Sequence, residues 1–399
     1  MRILILTQYY PPETGAPQNR LSSLAKHLAA FGNEVEVQTA MPNYPRYEIF
    51  PEYRGKKYLQ ETVDGINVHR SSIYVSSSTG MIKRLMNYFS FVTSSWYSAG
   101  KRLQPYDIII CESPPLFLGI TAVMLKRKWK CKLVFNVSDL WPESAEKMGI
   151  IKNRFIINSA YRLANWIYKN ADLISGQTKG IIEAIRQMQP QKRLFWFPNG
   201  IDLHKLNGHT SSLKTGSQFV LMYAGIIGHA QGLEVILRAA DNLKAYKGIH
   251  FYIIGDGPVK EKLVALQRQL HANNITFIDN QPSETMMHWI QQCDAYIVPL
   301  RKLDLFKGAI PSKLFEPLGI GKPILLGVEG EAKALFIDEG KAGLYFEPEN
   351  AEDLSKKILT LFNDRQLAAT LGTNGKEYVN NYFRRDKIAS DFMKQLQQL

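Results

Sequence analysis

The chain opens MRILILTQYYPPETGAPQNRLSSLAKHLAAFGNEVEV, residues 1–37, and the fold is decided there. Residues 2–7 are a compact apolar run of the kind buried in a parallel sheet. A loop, QYYPPETGAPQNR, follows it. Leu21, Leu24, Ala25 and Leu28 then recur on one helical face, Gly32 closes the helix, and Val35 and Val37 alternate as a second strand. The order β-loop-α-β begins a doubly wound sheet. The loop has no GxGxxG, so nothing here supports a dinucleotide cofactor. It holds Gly15 beside Thr14, with Arg20 shortly after. Ligands collect at the carboxyl ends of such strands, and Gly15 there allows a phosphate to approach the backbone. A plain long turn accounts for the same residues.

Working outward, residues 107–111 and 132–136 read as further strands. The second runs into VSDLWPES, which places Asp139 and Glu143 where a catalytic loop belongs. An acid just past a strand also caps a following helix. After strands at 171–175 and 194–197, PNGID at 198–202 turns out of the first sheet, giving a domain over residues 1–203. Residues 204–218 are polar, with Gly, Ser, Thr and Lys, and read as a linker. A second series starts at residues 219–224, followed by the glycine-rich loop GIIGHAQG (225–232) and a helix with Leu233, Ile236, Leu237 and Ala240 on its apolar side. Glycines permit close backbone approach to an anion. Strands at 250–254, 275–278 and 295–300 continue the second domain, residues 219–377, and the first of them ends in GDGP (255–258). Residues 378–399 form an amphipathic helix with Tyr382, Phe383, Ile388, Phe392 and Leu396.

The stretch FKGAIPSKLFEPLGIGKPIL, residues 306–325, follows the last of these strands. Pro311-Ser312-Lys313 opens a short helix that Gly319 and Gly321 end. Free N–H groups and the dipole at such a start attract an anion. Ser312 adds a hydroxyl, Lys313 a charge, and Glu316 a carboxylate one turn on, within reach of a diol. A diphosphate at the helix start and a ribose one turn in is the geometry a nucleotide-sugar requires. An amphipathic helix with a solvated Lys and Glu is the plainer reading.

The 399 residues allow two domains, and 45% hydrophobic with 21% charged residues is a globular composition. The formal charge of +13 suits phosphorylated substrates or an anionic membrane surface. No zinc-finger spacing, aromatic RNA-binding signature or basic tail supports nucleic acid. Cys111, Cys131 and Cys293 form no CxxC pair, as expected of buried thiols in a reducing cytosol. The N-terminus is too short an apolar run for a signal peptide, and residues 116–125, the longest apolar stretch, are roughly half a bilayer span. Residues 81–100 place Lys83 and Arg84 before Leu85, Tyr88, Phe89, Val92 and Trp96 at helical spacing. That pattern fits a core helix, and it fits an interfacial one resting on phospholipid. The run KRKWK at 126–130 points the same way, or complements a helix C-terminus.

Taken in order, QYYPPETGA, DLWPES, PNGID, YAGIIGHAQGLE, FYIIGDGP and GAIPSKLFEPLGIGKPI resemble the retaining glycosyltransferases of the GT-B fold, family four. Within these they are most similar to the L-fucosamine transferases of bacterial surface-polysaccharide synthesis. The resemblance spans nearly the whole chain. It implies an α/β chain of two Rossmann-like domains with a cleft between them, the first taking the acceptor and the second a nucleotide-diphosphate sugar, and a last helix crossing back to the first domain. Glu316 falls on the second glutamate of the family's Glu-x7-Glu motif, the ribose ligand, while Gly308 stands where the first belongs. Ile226 and Gln231 stand where most relatives have Arg and Lys, which leaves Lys313 as the replacement cation.

On this reading the catalytic residues are Asp139, Lys313 and Glu316. The donor contacts are Gly15, Gly225, Gly228, Gln231, Gly255, Gly257, Ala309, Ile310, Pro311, Ser312, Leu314 and Glu316; Glu143 and Arg20 serve the acceptor. The barrier lies in breaking the bond to the diphosphate, so leaving-group charge must be stabilised. No two aspartates are two apart, so the expectation is metal-independent transfer from a UDP-sugar, with no cofactor. The implied acceptor is a saccharide on a polyprenyl diphosphate, met at the cytoplasmic face of the inner membrane. Two rivals remain: a non-hydrolysing UDP-GlcNAc 2-epimerase-like enzyme and, given Gly308, an inactive nucleotide-sugar-binding subunit.

Overall fold

The computed structural model describes residues 1–44, 47–76, 80–149, 151, 153–202 and 218–399. The expected linker, 204–218, lies outside them apart from Gln218. The chain forms two compact units, Met1–Asn199 with Arg385–Leu399, and Gly200–Arg384.

The first unit is built on eight strands: β1 (Arg2–Leu6), β2 (Glu34–Ala40), β3 (Tyr58–Val63), β4 (Ile66–Ser71), β5 (Ile108–Ser113), β6 (Lys132–Val137), β7 (Leu173–Gly176) and β8 (Leu194–Trp196). Their order is β3-β4-β2-β1-β5-β6-β7-β8, and all neighbours are parallel except the β3–β4 hairpin. Strand β1 shows why: Ile3 and Ile5 enter one core, Leu4 and Leu6 the other. A strand buried on both faces needs helices on both. On one face lies α1 (Ala16–Ala30), through Leu21, Leu24, Ala25 and Leu28; on the other lie α2 (Met81–Arg102) and α3 (Leu118–Trp129). Helices α4 (Glu143–Lys147), α5 (Arg154–Asn170) and α6 (Lys179–Met188) complete the chain order here.

In the second unit six parallel strands run in the order β11-β10-β9-β12-β13-β14, the order of a Rossmann sheet. They are β9 (Phe219–Ala224), β10 (Ile249–Ile254), β11 (Ile275–Ile278), β12 (Ala295–Pro299), β13 (Ile324–Gly327) and β14 (Gly343–Tyr345). The intervening helices are α7 (Glu234–Asn242), α8 (Lys260–Leu270), α9 (Ser283–Gln292), α10 (Phe315–Ile320) and the single turn α11 (Glu331–Lys333), and α12 (Ala351–Asn363) and α13 (Arg365–Tyr382) follow the last strand.

Residues 378–399 are not one helix. Helix α13 stops at Tyr382, Phe383 and Arg384 pair in β fashion with Ile201, and α14 (Arg385–Gln397) starts anew. The break lets each half satisfy a different core. Phe383 lies 5.3 Å from Phe315 and 5.2 Å from Phe336 in the second unit. Phe392 of α14 stacks 4.7 Å from Phe197 in the first, and Ile388, Ala389 and Leu396 join the core of α1.

Candidate active site

In the second unit the sequence-derived donor residues gather around the carboxyl ends of β9 and β12, where the sheet order reverses and α/β sheets hold ligands. The residue at their centre was missed. Tyr223, the fully buried fifth residue of β9, donates its hydroxyl to the Ile226 carbonyl at 2.6 Å and accepts from Lys313 Nζ at 2.6 Å. The amine also stands 4.0 Å from the ring centroid. In the sequence FVLMYA, Tyr223 reads only as core; its hydroxyl was the available signal, because a buried phenol requires a partner.

Around this pair the two glycine loops lie against each other. Gly225 has φ 136° and Gly255 φ 144°, a region that L side chains rarely adopt. A Cβ on Gly255 would meet the Gly225 carbonyl at 2.0 Å, and one on Gly225 would meet Lys313 Nζ at 3.0 Å. Backbone bonds from Gly225 N to Ile254 O (3.0 Å) and from Ile227 N to Asp256 O (2.9 Å) join the loops, and Gly257 lies over the Ile227 carbonyl. Gln231 folds its amide back over Gly228. Bare backbone and the Lys313 amine therefore share a small space, as a phosphate site requires.

The stretch at 306–325 departs from the single helix expected. Pro311 precedes a 3-10 turn, Ser312–Leu314, and only then does α10 begin. Lys313 thus sits in the tighter turn and reaches the glycine loop with its side chain. Ala309, Ile310, Pro311 and Ser312 are half-buried. Leu314 is fully buried, so only its backbone can meet a ligand. Glu316 is exposed in the first turn of α10. Burial pushes the Lys313 amine down to about 7, and the Glu316 carboxylate pulls the other way. Among the described residues no group of three or more His, Cys, Asp or Glu is placed to hold a metal ion.

In the first unit Asp139 lies just past β6. Burial raises its carboxyl above the usual range, while the Ser144 hydroxyl, donating at 2.8 Å, and the Leu140 amide hold it back. Glu143, in the first turn of α4, pairs with Lys147 at 2.6 Å. Gly15 caps the start of α1 with the Gln18 amide folded onto it. Arg20, expected to serve the acceptor, is buried. Its guanidinium is buried, donating to Glu112 at 2.6 Å, Ser138 at 2.8 Å and Asn199 at 2.9 Å. It ties strand ends together.

Glu13, in the loop after β1, was also missed. It accepts from the backbone amides of Asn43 (2.7 Å), Tyr44 (2.8 Å) and Tyr10 (3.2 Å), which latches the loop after β2 onto the loop after β1. Burial pushes its carboxyl up to about 7 against the pull of these three donors.

Part of the aromatic face of α2 is used internally. Val92 is buried, and Tyr88 and Phe89 lie 6.0 and 4.8 Å from Phe117. Lys83, Arg84, Met86, Phe89 and Tyr97 remain exposed. In the basic run, Lys126 is paired with Asp172 at 2.6 Å, while Arg127, Lys128 and Lys130 are exposed. No helix among the described residues is long and apolar enough to cross a membrane, and all three cysteines are buried and free.

Two doubly wound units on one chain define a two-domain α/β class, and comparison with known proteins narrows it. Residues 15–200 match the family described as glycosyl transferase 4-like domain, and residues 207–378 match glycosyl transferases group 1. Together these span most of the chain, which belongs to the group 1 glycosyltransferases of GT-B fold. It is 25% identical over 98% of its length to the putative colanic acid biosynthesis glycosyl transferase WcaI of Escherichia coli, covering 99% of that protein. To the alpha-monoglucosyldiacylglycerol synthase of Acholeplasma laidlawii it is 22% identical, over 94% of this chain and 92% of the other. Among solved structures, Anabaena HepE in complex with UDP and glucose superposes with a TM-score of 0.73 over 100% of both chains at 17% identity. The chain is a glycosyltransferase.

Proposed function

We propose that this glycosyltransferase moves a sugar from a UDP-sugar, with retention of anomeric configuration and without a metal, to a saccharide carried on a polyprenyl diphosphate. The observation that carries the reading is the Lys313–Tyr223–Gly225 cluster at the switch point of the second sheet. An amine against bare glycine backbone suits the diphosphate of the donor, and Glu316 suits the ribose. HepE holds UDP on the same fold, which supports the choice of nucleotide. As the bond from C1 of the sugar to the diphosphate breaks, charge develops on the phosphate oxygens, where Lys313 and the loop amides stabilise it. The departing phosphate takes the acceptor proton, and Asp139 orients the sugar or stabilises oxocarbenium-like charge.

The product belongs to a surface polysaccharide, O-antigen or capsule. WcaI is named for colanic acid, and the Acholeplasma relative for a glycolipid, which supports a lipid-held acceptor. An N-acetylated, 6-deoxy amino sugar as donor rests on the resemblance to L-fucosamine transferases. A cytosolic donor and a membrane-held acceptor meet if the first unit rests on the anionic inner leaflet through its exposed basic residues and the exposed Met86 and Phe89 of α2. The test is a panel of UDP-sugars scored for thermal protection, followed by UDP release on adding acceptor. A ligand of the folded state raises the melting temperature. A panel in which no UDP-sugar protects and none releases UDP overturns the reading.

A further inference from the structure

Lys313 reaches the Gly225 end of the glycine loop, and it does so in an unusual setting. Its amine donates to the Tyr223 hydroxyl at 2.6 Å, and that hydroxyl is spent on the Ile226 carbonyl at 2.6 Å. Tyr223 thus fixes the amine and the loop to each other. The titratable groups beside the amine are Tyr223 from β9 and, one turn along its own segment, Glu316, with Tyr296 of β12 next to both of these. Tyr223 and Tyr296 are buried phenols held uncharged, raised above their ordinary range by burial. Glu316 is exposed, where water screens it. Burial strips the hydration an ammonium needs and Glu316 offsets only part of that loss, so the amine is shifted toward its neutral form. A diphosphate docking on the loop brings the missing negative charge within contact distance and reverses that preference.

We propose that Tyr223 is a positioning residue of the donor site: it holds the Lys313 amine against the glycine loop so that the amine takes one proton from solvent when a nucleoside diphosphate docks. The balance is simple. The neutral amine and one solvent proton become an ammonium, and no other bond is made or broken. The enzyme binds its donor with a cation that it does not keep charged beforehand, and release of the nucleotide returns the proton. This rests on the donor-site reading above and extends it to a proton linked to binding.

The experiment is calorimetric titration of UDP into the full chain at pH 8, in two buffers of different ionisation enthalpy. A terminal phosphate ionises near about pH 6, so UDP itself carries no proton to exchange there. The enthalpy difference gives the protons taken up. We expect about one per UDP for the wild type and none for Lys313→Met or Lys313→Arg. Tyr223→Phe should lose most of the uptake, because the freed amine moves toward water and is already charged; its affinity should fall about tenfold, as loss of a hydrogen bond to a charged group implies. UDP binding by the wild type without uptake sinks this inference and leaves the proposed function standing. Uptake that survives Lys313→Met assigns the proton elsewhere, and full uptake with unchanged affinity in Tyr223→Phe removes the positioning role. Failure of UDP to bind at all removes both readings. Should Tyr223→Phe not fold, the pH dependence of wild-type uptake decides: it must fade below pH 7, where the free amine is already charged.

Discussion

Replacing Arg20 with Met should destabilise the first unit severely while leaving the donor site intact. Arg20 and Glu112 have side chains 3% and 1% exposed, 2.6 Å apart. Met keeps the apolar stem but removes all three donated bonds. Glu112 then stays buried, accepting from Asn136 at 2.6 Å and from Ser138, with no counter-charge. Breaking a buried pair on one side costs about 3–5 kcal/mol, because an uncompensated charge remains. Against a typical folding stability of ~5–15 kcal/mol, that is a large share. Urea unfolding followed by tryptophan fluorescence reads this unit, since every tryptophan but Trp289 lies in it. With a slope of roughly 2–3 kcal/mol per molar, the midpoint should drop by about 1–2 M. Adding Glu112→Gln to Arg20→Met removes the stranded charge and should recover at least ~1 kcal/mol, the range expected of directly coupled neighbours. A loss under ~1 kcal/mol for Arg20→Met, with acceptor binding weakened instead, would refute this reasoning and return Arg20 to the acceptor site.

Glu316→Ala should raise the dissociation constant for UDP about ten- to a hundredfold, since a charged acceptor for the ribose hydroxyls is lost; unchanged affinity in the folded variant excludes the residue from the site. Transfer should persist after chelation with EDTA, because the leaving-group charge falls to Lys313 and backbone amides; activity lost and then restored by Mg²⁺ or Mn²⁺ counts against that. The protein should co-sediment with phosphatidylglycerol vesicles at low salt and release at high salt, each exposed basic residue near the surface contributing about 1 kcal/mol within a Debye length of ~8–10 Å. Replacing Arg127, Lys128 and Lys130 by Ser should weaken this, whereas Lys126→Ser should act on stability, since its ammonium is held by Asp172; indifference to anionic vesicles at low salt sends the basic charge back to the substrates alone. Gly255→Ala should unfold or strain the second unit by about 1–3 kcal/mol, as a Cβ there meets the Gly225 carbonyl at 2.0 Å; a thermal melt identical to the wild type contradicts the loop packing.

Much of the architecture was determined by the sequence alone, because burial on two faces writes itself into consecutive residues. The run ILIL in β1 has no polar alternate, and the face Leu21, Leu24, Ala25 and Leu28 in α1 has only one side to bury. Local rules of period and punctuation suffice for such elements. The β3–β4 hairpin was legible too, through Asp64-Gly65, whose positive φ values of 51° and 81° suit a tight two-residue turn, but it went unread. What only the tertiary structure decided were the partners of polar groups. Arg20 was expected at the acceptor; Glu112, the acid it pairs with, comes from β5, ninety-two residues on. Lys313 was legible as the cation, yet the group that holds it, Tyr223, lies ninety residues earlier in a strand whose pattern says only core. The break at Phe383 was hidden for the same reason: the periodicity of residues 378–399 runs on unbroken, and two different cores divide it. A sequence states which side chains must leave water. Which polar groups then meet in the dry interior depends on strand order, and that is set by the whole fold at once.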